Sequence, residues 1–273
     1  MTSFDHERLL VPVERTLRGL RGEILEAFEA PAAPAERKAD GSAVTELDRR
    51  LERALAEVLL DLDPTFGGRG EESGVWREGN PTWHLDPLDG TANFSFRVGC
   101  FGSQLALVDG ATPLFGVVYE PLRDDLAWAA QGQGCYLEGR RVQITTASPK
   151  EALAYADLPS TGRFARDPAA LARVRASVYK LRSLGSIALQ LRDVAVGVAA
   201  GFVGVRGGRS PLHDLAPGAL LIREAGGLAV DVEGGDPLVS RSSLIVGTEA
   251  FCSSVRTILM EPEGGVSPPP TSG

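Results

Sequence analysis

The spacing of apolar residues changes character twice along this chain, and this change limits the folds that are open to it. Residues 7–30 and 45–60 repeat their apolar side chains at the spacing of an amphipathic helix. Residues 83–145 instead contain short runs of Val, Leu and aromatic residues separated by Gly, Pro and Asp, which is typical of an antiparallel meander. After Pro149, helical and strand-like segments alternate. The sequence therefore predicts two helices, an antiparallel sheet and then an α/β segment.

The individual elements follow from these segments. Strands of the middle segment are predicted near residues 83–85, 102–108, 114–119, 126–130 and 142–145. In the last segment, we expect helices near residues 168–177, 186–198, 215–225 and 249–260, and strands near residues 179–184, 228–231 and 244–247. The chain divides accordingly into an N-terminal half (1–147), a C-terminal α/β half (148–260) and a Pro-rich tail (261–273) that is expected to be disordered.

Charge and cysteine content argue against several classes of protein. The 273 residues carry a formal net charge of −8, whereas general nucleic-acid binding needs a basic surface. Cys100, Cys135 and Cys252 have neither the spacing of a zinc site nor that of a disulfide framework. The most apolar stretch, residues 194–205, is shorter than the roughly 20 residues that span a bilayer. Because the N-terminus also lacks a basic and apolar leader, we expect a cytoplasmic protein without a membrane segment.

One short segment combines acidic residues with a turn and follows directly on a predicted strand: Asp86-Pro87-Leu88-Asp89-Gly90-Thr91. Asp86 and Asp89 can point at one spot that the carbonyl of Leu88 also faces. Oxygen ligands of this kind suit hard cations, of which Mg²⁺ is the default. The small residues that follow leave backbone N–H groups free to hold a phosphate oxygen. The pattern alone leaves open an ordinary Asp-rich turn, because short motifs need confirmation from their context.

The context of this segment resembles the inositol monophosphatase family over roughly residues 9–259. Several motifs in the family's order carry the resemblance: residues 80–94, Gly70-Glu71-Glu72-Ser73, Gly116-Val117-Val118-Tyr119, Gly132-Gln133-Gly134, Glu138-Gly139, Leu184-Gly185-Ser186, Asp214 and Glu224-Ala225-Gly226-Gly227. The resemblance implies a layered α-β-α-β-α sandwich and a Mg²⁺-dependent, lithium-sensitive phosphatase that acts on a small phosphate ester. It also implies two or three Mg²⁺ ions and a homodimer.

The resemblance assigns roles to individual residues of this sequence. The residues in the positions of the family's Mg²⁺ ligands are Glu71, Asp86, Asp89, Asp214 and, through its carbonyl, Leu88. Those expected to activate the attacking water are Asp48, Thr91 and Glu71. The substrate contacts are expected at Asp89, Gly90, Thr91, Gly185 and Ser186. No covalent intermediate is required, since metals can activate water directly.

Each of these residues also has a purely structural interpretation. Thr45 and Asp48 have the spacing of a helix capping box. Glu71 could be a solvated loop charge. Asp214 could cap a helix that has Pro217 in its first turn. His84 and His213, the latter where many family members have a tryptophan, are expected to pack or to form hydrogen bonds and not to bind the cation.

The resemblance is weakest in the segment that selects the substrate. Where relatives that bind a polyol carry an Asp and then a Glu, this chain has Ala200 and Gly204. Arg206 and Arg209 follow, either in an exposed basic loop or as contacts to a second anionic group of a substrate. Inositol phosphate, histidinol phosphate, a nucleotide 3'-phosphate and a sugar bisphosphate therefore all stay open as substrates. A catalytically weak binding or regulatory protein is the alternative from another class.

Overall fold

Two large sheets organise the chain. A computed structural model describes residues 6–30, 36–37, 43–158, 162–206 and 208–261. Its helices are α1 (His6–Glu29), α2 (Glu46–Leu62), α3 (Thr91–Ser95), α4 (Arg163–Arg166), α5 (Pro168–Ser177), α6 (Ile187–Ala195), α7 (Leu212–Glu224), α8 (Pro237–Ser240) and α9 (Glu249–Met260). Its strands are β1 (Glu36–Arg37), β2 (Ala43–Val44), β3 (Gly67–Gly70), β4 (Gly74–Arg77), β5 (Thr82–Asp89), β6 (Gly102–Asp109), β7 (Thr112–Glu120), β8 (Asp125–Ala130), β9 (Gly134–Leu137), β10 (Arg140–Val142), β11 (Leu153–Ala156), β12 (Lys180–Arg182), β13 (Gly201–Gly204), β14 (Leu228–Val230) and β15 (Leu244–Gly247).

The first large sheet has eight strands in the order β10-β9-β8-β7-β6-β5-β3-β4. Its neighbouring strands are antiparallel, except that β3 runs parallel to β5. The second has five strands in the order β12-β11-β13-β15-β14, with β11 parallel to both of its neighbours and the other pairs antiparallel. β1 and β2 form a separate antiparallel pair.

Helices α1 and α2 cover one face of the eight-stranded sheet. Leu17 of α1 and Leu55 of α2 belong to the same buried cluster as Trp83 of β5. Because successive side chains of a strand point to opposite faces, His84 and Asp86 of β5 point to the other face of this sheet. The face opposite α1 and α2 is therefore where the predicted site begins.

Helices α6 and α7 fill the space between the two sheets. Leu191 of α6 and Leu220 of α7 share a buried cluster with Val118 of the eight-stranded sheet and with Phe202 and Val246 of the five-stranded sheet. These contacts make α6 and α7 the central layer.

Helices α5 and α9 cover the outer face of the five-stranded sheet. Val174 of α5 and Val255 of α9 pack against Val203 and Ile245 of that sheet. The resulting order of layers is α-β-α-β-α, which confirms the predicted fold class.

Several strands were missed at the sequence level because glycine-rich segments have little strand propensity of their own. β3 reads Gly-Gly-Arg-Gly and β13 begins at Gly201. Tertiary packing requires these glycines: a Cβ atom on Gly70 would lie 2.2 Å from Cδ of Glu52, and one on Gly201 would lie 2.1 Å from Cδ1 of Phe251. The predicted strand at 142–145 is wrong beyond Val142, where β10 ends.

Two further predictions concern the chain outside the sheets. In the part that the structure describes, no helix is long and apolar enough to cross a bilayer. The predicted disordered tail lies outside the described residues, apart from Glu261.

The contact between α6 and α7 predicts opposite effects for two glycine substitutions. A Cβ atom on Gly218 would lie 2.3 Å from Cδ1 of Leu191, whereas Gly22 of α1 has nothing within 4 Å of its Cβ position. Gly218→Ala is expected to lower the free energy of unfolding by about 1–3 kcal/mol through overpacking. Gly22→Ala is expected to raise it by about 0.5–1 kcal/mol through helix propensity. Urea unfolding measures both, and a stable Gly218→Ala variant would contradict the packing described here.

Candidate active site

Three aspartates from two distant parts of the chain converge between the sheets. Asp86 and Asp89 lie at the end of β5, and the register of β5 with β6 shifts between them, which directs both carboxylates to one side. Asp214 comes from the first turn of α7. One carboxylate oxygen from each residue lies within 4.8 Å of those of the other two. Their exposed fractions are 3%, 9% and 8%, so the three charges are buried together.

The helical position of Asp214 differs from the expectation. α7 begins at Leu212 with Pro211 as its N-cap, so Asp214 is the third helical residue and the N-cap interpretation is wrong. Pro217 lies inside the helix and not in its first turn. Placing Asp214 in the first turn leaves its carboxylate free to face β5, while the positive end of the helix dipole still favours its charge.

Glu71 joins the three aspartates from the loop after β3. Its backbone N–H donates to the carbonyl of Leu85 at 3.0 Å, which fixes the loop to β5. Its side chain shares a hydrogen bond with Asp86. Glu71 is half-buried, so the interpretation as a solvated loop charge is wrong.

Glu52 supports the Glu71 loop and was missed at the sequence level. This buried carboxylate of α2 accepts hydrogen bonds from the backbone N–H groups of Glu72, at 2.7 Å, and Ser73, at 2.9 Å. The Ser73 hydroxyl and the indole of Trp76 also donate to it. The sequence did not indicate this role of Glu52, because a glutamate in an amphipathic helix is usually a surface charge.

Asp48 caps α2 and also contacts Thr91. It forms a capping box with Thr45, whose hydroxyl accepts from the N–H of Asp48 while the N–H of Thr45 donates to Asp48 Oδ2 at 2.9 Å. Its other oxygen, Oδ1, accepts from the hydroxyl of Thr91 at 3.0 Å. The Thr91 hydroxyl lies 2.9 Å from the carbonyl oxygen of Leu88 as well. The cap of α2 therefore positions Asp48 against the start of α3.

Ser186 lies directly beside Asp89, and Gly185 precedes Ser186 in the chain. The Ser186 hydroxyl donates to Asp89 Oδ2, and the N–H of Ala188 donates to the same oxygen at 2.9 Å. Gly185 has φ of 77°, and a Cβ atom there would lie 3.0 Å from Nδ2 of Asn93. The start of α6 thus holds Asp89 in place.

Gly90 occupies a position that only glycine fits. Its φ is 87°, and a Cβ atom there would lie 2.9 Å from the carbonyl oxygen of Cys100. Gly90 is the N-cap of α3, so the backbone turns sharply at the end of β5 and brings Thr91 next to Asp48.

The two arginines of the predicted basic loop have different surroundings. Arg206 donates from Nε to Asp157 at 2.8 Å and from Nη1 to Asp214 at 2.7 Å, so the exposed-loop interpretation is wrong for this residue. Arg209 is exposed, as that interpretation expects. A guanidinium group thus neutralises one of the three buried aspartates.

Burial dominates the electrostatics of the carboxylate cluster. It raises the pKa of Asp86 well above its usual value, and the charges of Glu71, Asp89 and Asp214 raise it further. Burial raises the pKa of Asp89 to about 7, with Asp214 and Glu71 adding to the effect and the Ser186 hydrogen bond opposing it. It also raises the pKa of Asp214, against the positive charges of His213 and Arg206. The cluster therefore holds more negative charge than the protein itself compensates.

The donor set fits a hard cation. The converging atoms are carboxylate oxygens. Among the described residues, His213 has the only imidazole in ion-pair range of the cluster, with its Nε2 3.7 Å from Oδ1 of Asp214. Gln104, which pairs with Asp86 across β5 and β6, is fully buried, and neither atom of its amide has a hydrogen-bond partner among the described residues. An ion with its water ligands would compensate the charge and give such an amide a partner.

Buried oxygen ligands for hard cations, beside a hydroxyl and carboxylate that can orient water, define a metal-assisted hydrolase. The sequence model of the inositol monophosphatase family matches residues 6–260, and the chain belongs to that family. It is accordingly a phosphoric monoester hydrolase.

Individual relatives agree with this assignment. The chain is 33% identical over 224 residues to an inositol-1-monophosphatase of Rhizobium meliloti, covering 80% of this chain and 83% of the relative. It is 32% identical over 222 residues to a fructose-1,6-bisphosphatase/inositol-1-monophosphatase of Aquifex aeolicus, covering 79% and 81%. The crystal structure of the extragenic suppressor protein SuhB from Bartonella henselae is similar with a TM-score of 0.83 and 26% identity, covering 93% of this chain and 98% of that one.

The raised pKa values predict an unusual pH dependence of stability for protein stripped of cations. A carboxylic acid whose pKa is higher in the folded than in the unfolded state binds more protons when folded, so folding loses stability as pH rises between the two values. For Asp89 this range is about pH 4 to 7. The loss from Asp89 alone would reach about 4 kcal/mol.

Thermal unfolding of resin-stripped protein at pH 5 and pH 8 measures the effect. We expect the difference in unfolding temperature between pH 5 and pH 8 to be smaller in Asp89→Asn, which has no charge to bury. In wild type at saturating Mg²⁺, we expect this difference to disappear. A stripped wild-type protein with the same pH profile as Asp89→Asn would show that the cluster is not under electrostatic strain.

Proposed function

We propose that this protein hydrolyses a small phosphate monoester in a Mg²⁺-dependent reaction in which water attacks phosphorus directly. The observation that carries the proposal is the convergence of Asp86, Asp89 and Asp214, buried and within 4.8 Å of one another. Membership of a phosphatase family supports the reaction class, and the all-oxygen donor set supports Mg²⁺ over softer metals.

Five residues of the chain would hold two or three ions, the number that the family resemblance implies: Glu71, Asp86, Leu88 through its carbonyl, Asp89 and Asp214. When bound, the ions would lower the pKa of a water molecule and neutralise charge on the phosphoryl group. We propose that Glu71 both holds an ion and helps to activate the attacking water. Its side chain is close enough for the first role, because it shares a hydrogen bond with Asp86.

Asp48 and Thr91 would prepare the attacking water. The Thr91 proton is directed at Asp48 Oδ1 or at the carbonyl of Leu88, at 3.0 and 2.9 Å, so Oγ1 can accept a hydrogen bond from water. As the water attacks, its proton passes to Thr91 Oγ1 and the hydroxyl proton passes to Asp48. Burial raises the pKa of Asp48, which makes this carboxylate a better proton acceptor.

The substrate phosphate would lie against the backbone at Gly90 and Thr91. Gly90 admits close approach of a ligand because it has no side chain, and its sharp turn presents the start of α3 to the carboxylate cluster. Asp89, Gly185 and Ser186 border the same place and complete the proposed substrate contacts.

The leaving group is less well defined than the phosphate site. Ala200 is fully buried, so this position offers no group to a polyol. We propose that Arg206, which pairs with Asp214 of the cluster, and the exposed Arg209 help to select the substrate. Inositol phosphate, histidinol phosphate, a nucleotide 3'-phosphate and a sugar bisphosphate are the candidates, and the Aquifex aeolicus relative supports a substrate with two phosphates.

The remaining parts of the proposal concern assembly and location. We propose a homodimer, supported by the exposure of Phe96 (81%) and Val98 (49%) next to the site, since large apolar side chains of this kind are typical of interfaces. We also propose lithium sensitivity, a cytoplasmic location and no nucleic-acid partner. The net charge of −8 supports the last point.

The reaction is tested by phosphate release from inositol 1-phosphate, histidinol phosphate, fructose 1,6-bisphosphate and 3'-phosphoadenosine 5'-phosphate, with and without Mg²⁺. Asp89→Asn is expected to abolish turnover because it removes a cation ligand. Thr91→Val is expected to lower kcat by about 10²–10⁴-fold, the usual effect of losing acid–base assistance. Thr91→Ser is the matched control, since it keeps the hydroxyl.

Turnover that persists without Mg²⁺ or in Asp89→Asn would contradict the mechanism. A folded wild-type protein without turnover on any substrate of the panel would favour the binding or regulatory alternative.

Arg206 is expected to compete with Mg²⁺ for Asp214. Its guanidinium donates to Asp214 at 2.7 Å, so removing it leaves the carboxylate free for the cation. Arg206→Gln should lower the Mg²⁺ concentration for half-maximal activity by about two- to fivefold, the effect of a partly exposed ion pair. Arg209→Gln removes the same charge from an exposed position and should have a smaller effect. Equal shifts in both variants would mean that only net charge matters.

A further inference from the structure

A cavity lies beside the carboxylate cluster, on the face of the eight-stranded sheet that is turned towards α7. Its volume is about 510 Å³, and its walls come from β3, β4, β5, the first turn of α7 and the residue after α8. Glu71 and His213 line it, so it adjoins the cluster directly. The proposed reaction uses none of its other residues.

The walls of this cavity carry an excess of positive charge. Three guanidinium groups line it, those of Arg69, Arg77 and Arg241, against the carboxylates of Glu71 and Glu78. Glu78 is exposed, and Glu71 is turned towards Asp86. In a chain with a net charge of −8, such a local excess is unexpected for a surface that has no anion to bind.

Arg69 and Arg241 have neither an ion pair nor a side-chain hydrogen bond within the described part of the chain. Nε of Arg241 is buried without an acceptor among these residues. Burial lowers the pKa of Arg241, and the positive charges of Arg209 and Arg69 lower it further, so the guanidinium groups lie close enough to repel one another. An anion between them would relieve this repulsion and satisfy the buried donor.

Arg77 differs from the other two. Its Nε donates to the carbonyl of Phe66 at 2.6 Å, and its Nη2 donates to the carbonyls of Leu60 and Asp63 at 3.1 and 2.6 Å. These bonds hold it in place, and the charge of Asp63 partly compensates its own. Arg77 therefore contributes a fixed positive charge, while Arg69 and Arg241 supply the donors.

The backbone adds to the positive character of the cavity. Pro211 and Leu212 line it, and the N-cap residue Pro211 has no side chain that can accept from the first N–H groups of α7. The positive end of the helix dipole thus faces the same space as the arginines.

We infer that this cavity binds a phosphate-class anion through Arg69 and Arg241. The ligand is either the second phosphate of a substrate with two phosphates, whose reacting phosphate lies at the carboxylate cluster, or a free phosphate. Only the first source rests on the proposed phosphatase function. Binding of the anion itself does not depend on turnover.

Calorimetric titration of inorganic phosphate into full-length protein tests the inference. The protein is stripped of cations on a chelating resin, so that the uncompensated carboxylate cluster repels phosphate and cannot account for binding. We expect one phosphate per chain for wild type, and an affinity that is weaker by about tenfold or more in Arg69→Gln/Arg241→Gln, since charge-assisted hydrogen bonds are lost.

Arg140→Gln is the matched control. It removes the same charge from an exposed residue of β10, at the opposite edge of the same sheet. Because Arg69 is itself exposed, the single variant Arg69→Gln should fold. If the double variant does not fold, this single variant is titrated in its place. Wild type that binds no phosphate, or an Arg69→Gln variant that binds as well as wild type, would overturn the inference.

Kinetics with Mg²⁺ then distinguish the two sources of the anion. The ratio of kcat/KM for 3'-phosphoadenosine 5'-phosphate to that for adenosine 3'-phosphate isolates the second phosphate, as does the ratio for fructose 1,6-bisphosphate to fructose 1-phosphate. Weaker phosphate binding with a fall in either ratio in the double variant assigns the cavity to substrate. Weaker phosphate binding with unchanged ratios assigns it to free phosphate.

Discussion

The repulsion between buried carboxylates at the end of β5 is the constraint on which the rest of the site depends. Asp86, Asp89 and Asp214 are brought within 4.8 Å of one another in a place that water hardly reaches. Proteins tolerate such an arrangement only when protons, cations or basic side chains compensate the charge. In this chain Arg206 compensates one carboxylate, and the pKa of Asp89 rises to about 7. The remaining charge would favour a bound cation and, through it, a phosphate group.

The surrounding structure keeps these charges from moving apart. The loop of Glu71 is tied to the carboxylate of Glu52, and Asp89 accepts hydrogen bonds from the start of α6. Asp48 is fixed by the cap of α2 and faces Thr91. Each of these supports uses a backbone N–H or a helix end, groups whose positions are set by secondary structure and not by flexible side chains. The site is therefore preorganised by the same bonds that stabilise the fold.

Opposite charges occupy neighbouring walls of the space between β5 and α7. The carboxylate cluster lies on one side, and the cavity lined by Arg69 and Arg241 lies on the other, with Glu71 and His213 between them. A ligand with cation-bound phosphate at one end and a second anionic group at the other would match this arrangement. The same separation would allow a protein with a net charge of −8 to attract anions, since local fields and not net charge act on a bound ligand.

The sequence by itself indicated the broad succession of two helices, an antiparallel sheet and an α/β segment, and it singled out Asp86 and Asp89 as candidate ligands, because periodicity and a short motif are local properties of the chain. The layered fold class came from the family resemblance. The sequence could not supply the glycine-rich strand β3, whose residues are dictated by contact with Glu52 and not by strand propensity. Nor could it show that Arg206 pairs with Asp214, or that Arg69 and Arg241 share a cavity. Arg206 and Asp214 are only eight residues apart, but their contact depends on how the chain turns between β13 and α7. Arg69 and Arg241 are far apart in the chain and meet only when the sheets and α7 are assembled. Charges interact through space, so their pairing was decided by the tertiary structure alone.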